Sequence, residues 1–257
     1  MKYSHLILDL DGTVYLDSFP IGDVIEQLNI FSSNGGKLFF LTNNTSTSRK
    51  YYYNKLKSLG LIDVYIENII TPICVAGRFL KIKHKSGYIV GTEAFKDELY
   101  KSFQIKSDLD NADYVLIAFD KELTYCKLEN ACKLINQGIP YYITHIDMSC
   151  PTSNGPIPDC GSISKLVASV TNKKYTENFG KPSKLMIEYI KGKISDVEKD
   201  DVLMVGDRIY TDMKLGNMLK INTLLVLSGE SRYEDISEST KITHHARTLA
   251  EYLKEEL

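Results

Sequence analysis

At 257 residues with 43% hydrophobic side chains, the chain can bury a substantial core, either as one large α/β domain or as a core domain carrying a second, inserted one. The charged groups nearly cancel, at a formal net charge of -2, which excludes the basic footprint of a nucleic-acid binder and leaves a small molecule as the expected partner. Five cysteines with no C-x-x-C pair read as reduced thiols, the N-terminus runs straight into a short apolar stretch with no room for a signal peptide, and no apolar run reaches membrane-spanning length, so cytoplasmic residence without a membrane partner is expected.

In chain order, residues 6–8 read as a buried strand, followed by Val24, Ile25, Leu28 and Phe31 at helical spacing and a stop at Asn34-Gly35-Gly36. Residues 38–41 form a second apolar strand and 48–59 a second helix, closed by Gly60. In that helix the run Tyr51-Tyr52-Tyr53 is expected to put at least one ring into the core. Residues 77–178 repeat the alternation on their own, with strands at 88–90, 114–118 and 141–143 and helices at 93–101 and 124–137. The Pro-, Gly-, Asp- and Ser-rich stretch 150–161 reads as an exposed loop before a helix over 162–170. The first pattern then resumes with a helix over 183–190, a strand at 202–205, a helix over 212–219 and a strand at 223–227. His244-His245 has no carboxylate or thiol companion in sequence and reads as a surface turn. Continuous apolar strands alternating with helices predict an α/β fold, a doubly wound parallel-sheet core with an inserted α/β domain. The expected divisions are 1–76 and 179–257 for the core and 77–178 for the insertion.

Three of the buried strands run directly into polar residues: Asp9-Leu10-Asp11-Gly12-Thr13, Thr42-Asn43-Asn44 and Gly206-Asp207-Arg208. Ligands of open parallel sheets bind outside the carboxyl ends of the strands, so these clusters are expected to share one edge. Any one of them alone is more simply a polar turn; three together argue for a site. Asp9 and Asp11 repel one another unless a proton or a cation intervenes, and Asp207 adds a third hard oxygen ligand. Mg²⁺ with a substrate phosphate suits that set, whereas the ligand spacing and closing Glu of an EF-hand are absent. Thr42 offers a hydroxyl and the backbone N–H groups after it can face a phosphate, while Lys181 in Gly180-Lys181-Pro182 can neutralise one of its oxygens.

Asp9 to Tyr15 resembles the nucleophile motif of haloacid dehalogenase-like phosphatases, Leu41 to Ser46 their second motif, and Gly180-Lys181-Pro182 and Gly206 to Asp212 their third and fourth. The whole is similar to the branch of NagD-like and p-nitrophenylphosphatase-like enzymes. That resemblance implies Asp9 as the nucleophile that becomes phosphorylated and Asp11 as the acid and base, its carbonyl also a ligand to Mg²⁺. It further implies Asp207 as a metal ligand, Asp212 as its support, and Thr42, Asn43, Asn44 and Lys181 around the phosphate. The insertion looks like the large α/β cap of that branch, with Asp147 and Cys150 as the candidates to face the substrate; caps of this size often provide a dimer surface in similar enzymes, so the resemblance also makes a homodimer an expectation.

Many relatives carry Thr-Asn-Pro-Asp where this chain has Thr144-His145-Ile146-Asp147, so the substrate of any one relative does not carry over. The expected reaction is hydrolysis of a small phosphate ester: a nucleotide, a sugar or glycerol phosphate, or pyridoxal phosphate. The alternatives are a dehalogenase, against which Asp11 argues, a phosphomutase, and a silent phosphate-binding regulator on the same scaffold.

Overall fold

The computed structural model describes residues 2–84, 86–152 and 154–256, and the chain divides into two compact units. One comprises Met1–Thr42, Lys50–Ile70 and Ile187–Leu257, the other Asn43–Arg49 and Thr71–Met186.

The first unit opens with β1 (His5–Leu8), all four of whose side chains are buried. A strand apolar on both faces is stable only where both are covered. The short hairpin β2 (Tyr15–Leu16) and β3 (Phe19–Pro20), α1 (Val24–Ser33), β4 (Lys37–Leu41), α2 (Arg49–Ser58) and β5 (Ile69–Ile70) follow. α1 buries Val24, Ile25, Leu28 and Phe31, the stripe its spacing predicts. Of the three tyrosines on α2, Tyr52 lies in the core and Tyr51 is half exposed.

The second unit contains α3 (Pro72–Lys83), β6 (Tyr88–Val90), α4 (Glu93–Phe103), β7 (Val115–Ile117), α5 (Tyr125–Asn136), β8 (Tyr141–Ile143), the hairpin β9 (Ser149–Cys150) and β10 (Ile157–Pro158), and α6 (Cys160–Thr171). β6, β7 and β8 form a parallel three-stranded sheet in that order. Val90, Ile117, Phe119, Ile143, Cys160 and Val167 share its core. α3 has no counterpart among the sequence expectations: its first six residues are all buried, so no polar face marks the helical period. The expected loop over 150–161 is in fact the β9–β10 hairpin followed by the start of α6. Asp159 caps that helix by accepting from the Cys160 N–H at 2.6 Å, which starts it two residues earlier than glycine and serine content suggested.

The chain then adds α7 (Lys184–Lys193), β11 (Val202–Gly206), α8 (Lys214–Leu219), β12 (Asn222–Val226), β13 (His244–Ala246) and α9 (Leu249–Glu256). In the first unit the six parallel strands run β13-β12-β11-β1-β4-β5. His244-His245 is therefore not a turn but the edge strand, with the His244 ring paired to the Tyr3 hydroxyl at 2.8 Å. The helix expected from residue 212 begins at Lys214, preceded by one π-helical turn over Ile209–Met213. β1 lies between β4 and β11 in matched register, Leu8 facing Phe40 on one side and Val205 on the other. The chain thus leaves the middle of the sheet in both directions, a topological switch point, with Asp9, Thr42 and Asp207 all emerging from the carboxyl edge.

Candidate active site

Asp9 follows β1 and continues its pairing, its N–H donating to the Val205 carbonyl at 2.9 Å. Asp207 follows β11, and Asp212 comes from the π-helical turn, a feature that recurs at functional sites. All three are buried, and each offers a carboxylate oxygen within 4.8 Å of the others. Asp11 is only half buried, beside Tyr15, and its side chain is not one of the three that converge.

Close backbone approach holds Asp207 in place. A Cβ on Gly12, whose φ is +88°, would lie 2.6 Å from Asp207 Oδ2, and one on Gly229 would lie 1.9 Å from it. Only glycine fits at either position. The Glu230 N–H donates to Asp207 Oδ2 at 2.7 Å, while Oδ1 is buried with no hydrogen-bond partner among the described residues. Burial, then the charges of Asp9 and Asp212, push the Asp207 carboxyl up to about 8, opposed by the Glu230 N–H and by Arg208. Three crowded carboxylates around an orphaned oxygen are a poor set on their own and a fitting one for a hard divalent cation that takes oxygen ligands.

The second unit holds Asn43, Asn44, Asp147, Cys150 and Lys181. Asn43 accepts from the Lys181 N–H through Oδ1 at 2.7 Å, and its amide donates to the Lys181 carbonyl and to Asp147 Oδ2, each at 3.2 Å. Asn44 Oδ1 instead accepts from the Ser46 N–H at 3.0 Å and hydroxyl at 2.8 Å, and its amide approaches Cys150 Sγ at 3.9 Å. Both asparagines are thus engaged in holding chain segments together. Thr42, buried at the end of β4, belongs to the first unit, whereas the next residue already packs with the second.

A family model described as haloacid dehalogenase-like hydrolase matches residues 6–102, and an HAD-hydrolase-like model matches residues 178–254. An acid sugar phosphatase of Staphylococcus epidermidis is 30% identical over 237 residues, covering 91% of this chain and 90% of that protein. The chain belongs to the haloacid dehalogenase-like hydrolases. A 5'-nucleotidase of Bacillus subtilis is 27% identical over 98% of both chains. The crystal structure of a 4-nitrophenylphosphatase from Thermotoga maritima superposes with a TM-score of 0.89 at 35% identity, over 98% of this chain and 97% of that one. This protein is accordingly a phosphatase of that superfamily, in the branch that resembles the p-nitrophenylphosphatases.

Two features of this haloacid dehalogenase-like phosphatase escaped the sequence reading. The loop Ser228-Gly229-Glu230-Ser231 after β12 grips both Asp-bearing loops: the Ser228 hydroxyl donates to the Gly12 carbonyl at 2.7 Å, and the Glu230 and Ser231 N–H groups donate to Asp207. Its signal was present, a buried strand running into polar residues, the same pattern that marked the other three loops. The second is Lys55 on α2, whose ammonium sits 3.3 Å from the centroid of the buried Tyr15 ring, a cation–π contact. Burial lowers its pKa while Asp11 and Asp17 pull it back. Nothing in the sequence marks Lys55 apart from its neighbours.

Proposed function

We propose that the protein hydrolyses a small phosphomonoester through an aspartyl-phosphate on Asp9, with Mg²⁺ held by Asp9, Asp207 and Asp212 and by the Asp11 carbonyl. The observation that carries this reading is the unpartnered Asp207 oxygen beside two further buried carboxylates. Mg²⁺ there would offset the charge of the three acids and of the phosphoryl oxygens.

In this scheme an Asp9 oxygen bonds to phosphorus as the bond from phosphorus to the leaving oxygen breaks, and Asp11 gives that oxygen its proton. Asp11 then takes a proton from water as the water attacks the aspartyl-phosphate, which restores the Asp9 carboxylate and releases inorganic phosphate. Asp11 suits the part because its side chain stands outside the three-carboxylate cluster. Thr42 contributes its hydroxyl and Lys181 its ammonium to the transferring oxygens, with Asn43 and Asn44 shaping the chain around them. Phosphate monoester hydrolysis can need acceleration of about 10²¹-fold, and acid–base catalysis supplies only about 10²–10⁴ of it. Charge stabilisation and alignment must therefore supply most of the rest.

Residues 77–178 act in this reading as a cap that excludes water and reads the leaving group, with Asp147 and Cys150 facing the substrate. The relatives named as an acid sugar phosphatase and a 5'-nucleotidase support a sugar or glycerol phosphate, or a nucleotide, as the substrate class, with pyridoxal phosphate as the further candidate. An odd number of cysteines with no C-x-x-C pair supports a reducing, cytoplasmic setting. The test is phosphate release from a panel of these esters with and without Mg²⁺, for wild type and Asp9→Asn. Metal-dependent release lost by at least about 10³-fold in Asp9→Asn is expected; release that ignores both metal and substitution would overturn the scheme.

A further inference from the structure

His145 lies in the second unit on the segment that leaves β8 and leads to Asp147, and its ring is fully buried. Nε2 lies 2.7 Å from Asp159 Oδ1 and Nδ1 lies 3.0 Å from the Thr144 hydroxyl. A carboxylate only accepts, so the imidazole donates, and a buried charge-assisted bond of this length is among the stronger ones available to side chains. Asp159 is also the N-cap of α6, so the bond ties the segment to the start of a helix. Backbone contacts tighten the same joint. The Gly161 N–H donates to the Asp147 carbonyl at 2.8 Å, and a Cβ on Gly161 would lie 2.3 Å from the Ile146 carbonyl oxygen.

On its other flank the segment reaches Lys181. Asp147 Oδ2 accepts from the Asn43 amide, and Asn43 holds both the N–H and the carbonyl of Lys181. The Cβ of His145 itself packs against Gly180, where an added Cβ would meet it at 2.6 Å. Asp159, His145, Asp147, Asn43 and Lys181 thus form one contiguous series of buried contacts.

We infer that His145 is a positioning residue: its bond to Asp159 fixes the segment carrying Asp147 and, through Asn43 and Gly180, the main chain of Lys181. The kinetic consequence rests on the phosphatase reading, in which Lys181 meets the phosphate; the structural consequence does not. His145→Leu removes the bond. His145→Gln places an amide N–H where Nε2 stood and should keep it. Asp159→Ser retains an N-cap for α6 but is too short to reach residue 145, so it breaks the pair without touching His145.

Amide hydrogen exchange is measured on peptides covering residues 178–186, alongside KM, kcat and the inhibition constant of inorganic phosphate. His145→Leu and Asp159→Ser are expected to speed exchange at the Lys181 amide about tenfold and to raise KM and the phosphate inhibition constant about tenfold, with kcat changed less than about threefold. His145→Gln should stay within about twofold of wild type in each. Unchanged exchange at Lys181 in both disrupting variants, or a His145→Gln variant as impaired as His145→Leu, would overturn the inference. The exchange result holds even for a protein found inactive on every ester, so failure of the phosphatase reading and failure of this one are separable. Should His145→Leu not fold, Asp159→Ser carries both arms.

Discussion

The two units surround their buried acids with different neighbours. In the first, Asp9, Asp207 and Asp212 are buried together, one oxygen of Asp207 has no partner among the described residues, and its carboxyl is pushed up to about 8. In the second, Asp147 and Asp159 are equally buried but have side-chain donors beside them: the Asn43 amide for one, and the His145 ring, together with the Cys160 N–H, for the other. In one set three acids crowd one another, and in the other two acids are interleaved with a ring and an amide. Burial alone therefore does not single out the cluster; mutual crowding of carboxylates, which pushes Asp207 up, is the added sign.

The sharpest way to break that contrast is at Gly229. Gly229→Ala would drive a methyl group into Asp207 Oδ2, and we expect Mg²⁺ affinity to fall about 10–100-fold, read by calorimetry, with a further cost of about 1–3 kcal/mol in stability. Unchanged Mg²⁺ affinity would remove the loop after β12 from the site.

Asn43→Ala probes the other unit. It strips the partners from the buried Lys181 N–H and carbonyl and should cost about 2–5 kcal/mol in denaturant unfolding, while leaving the stabilisation by Mg²⁺ intact. Loss of that metal response would mean the two regions are not energetically distinct.

Mg²⁺ itself should raise the unfolding temperature of the wild type. A hundredfold excess over the dissociation constant is worth about 2.7 kcal/mol, or several degrees in a protein of this size. Asp207→Asn relieves the repulsion from Asp9 and Asp212, so it should unfold at a higher temperature than metal-free wild type and gain nothing from Mg²⁺. A less stable metal-free variant would show that the crowding is not costly.

The smallest effect is a pH slope. Burial holds the imidazoles of His5 and His244 below the usual 6.5, so in the folded protein they stay neutral where the unfolded chain has begun to take up protons. Their contribution is complete above about pH 6.5 and is lost as the pH falls below it. Unfolding temperatures followed downward from pH 7.5 should decline more steeply for wild type than for a His5→Gln, His244→Gln double variant.

Local patterns determined much of this protein. Apolar runs of three or four residues specified the central strands β1, β4 and β11, because a strand covered on both faces leaves a continuous apolar signature. The polar residues directly after them marked where a ligand site would form, since in a parallel sheet the carboxyl edge is shared. Where burial is complete on every face, as at the start of α3, the helical period vanished. Where a single side chain decides a boundary, as Asp159 does for α6, composition pointed to a loop.

Tertiary structure alone decided which carboxylates converge and which side chains stand beside them. Asp212 joins Asp9 and Asp207 because a π-helical turn and the bare backbone of Gly206, where a Cβ would lie 2.3 Å from the Asp212 carboxylate, bring it in. His145 finds Asp159 fourteen residues away because the β9–β10 hairpin folds the chain back. Periodicity records which face of an element is buried; it carries no information about which distant side chain a buried acid will meet, and that neighbour separates the all-carboxylate cluster from the one built with His145 and Asn43.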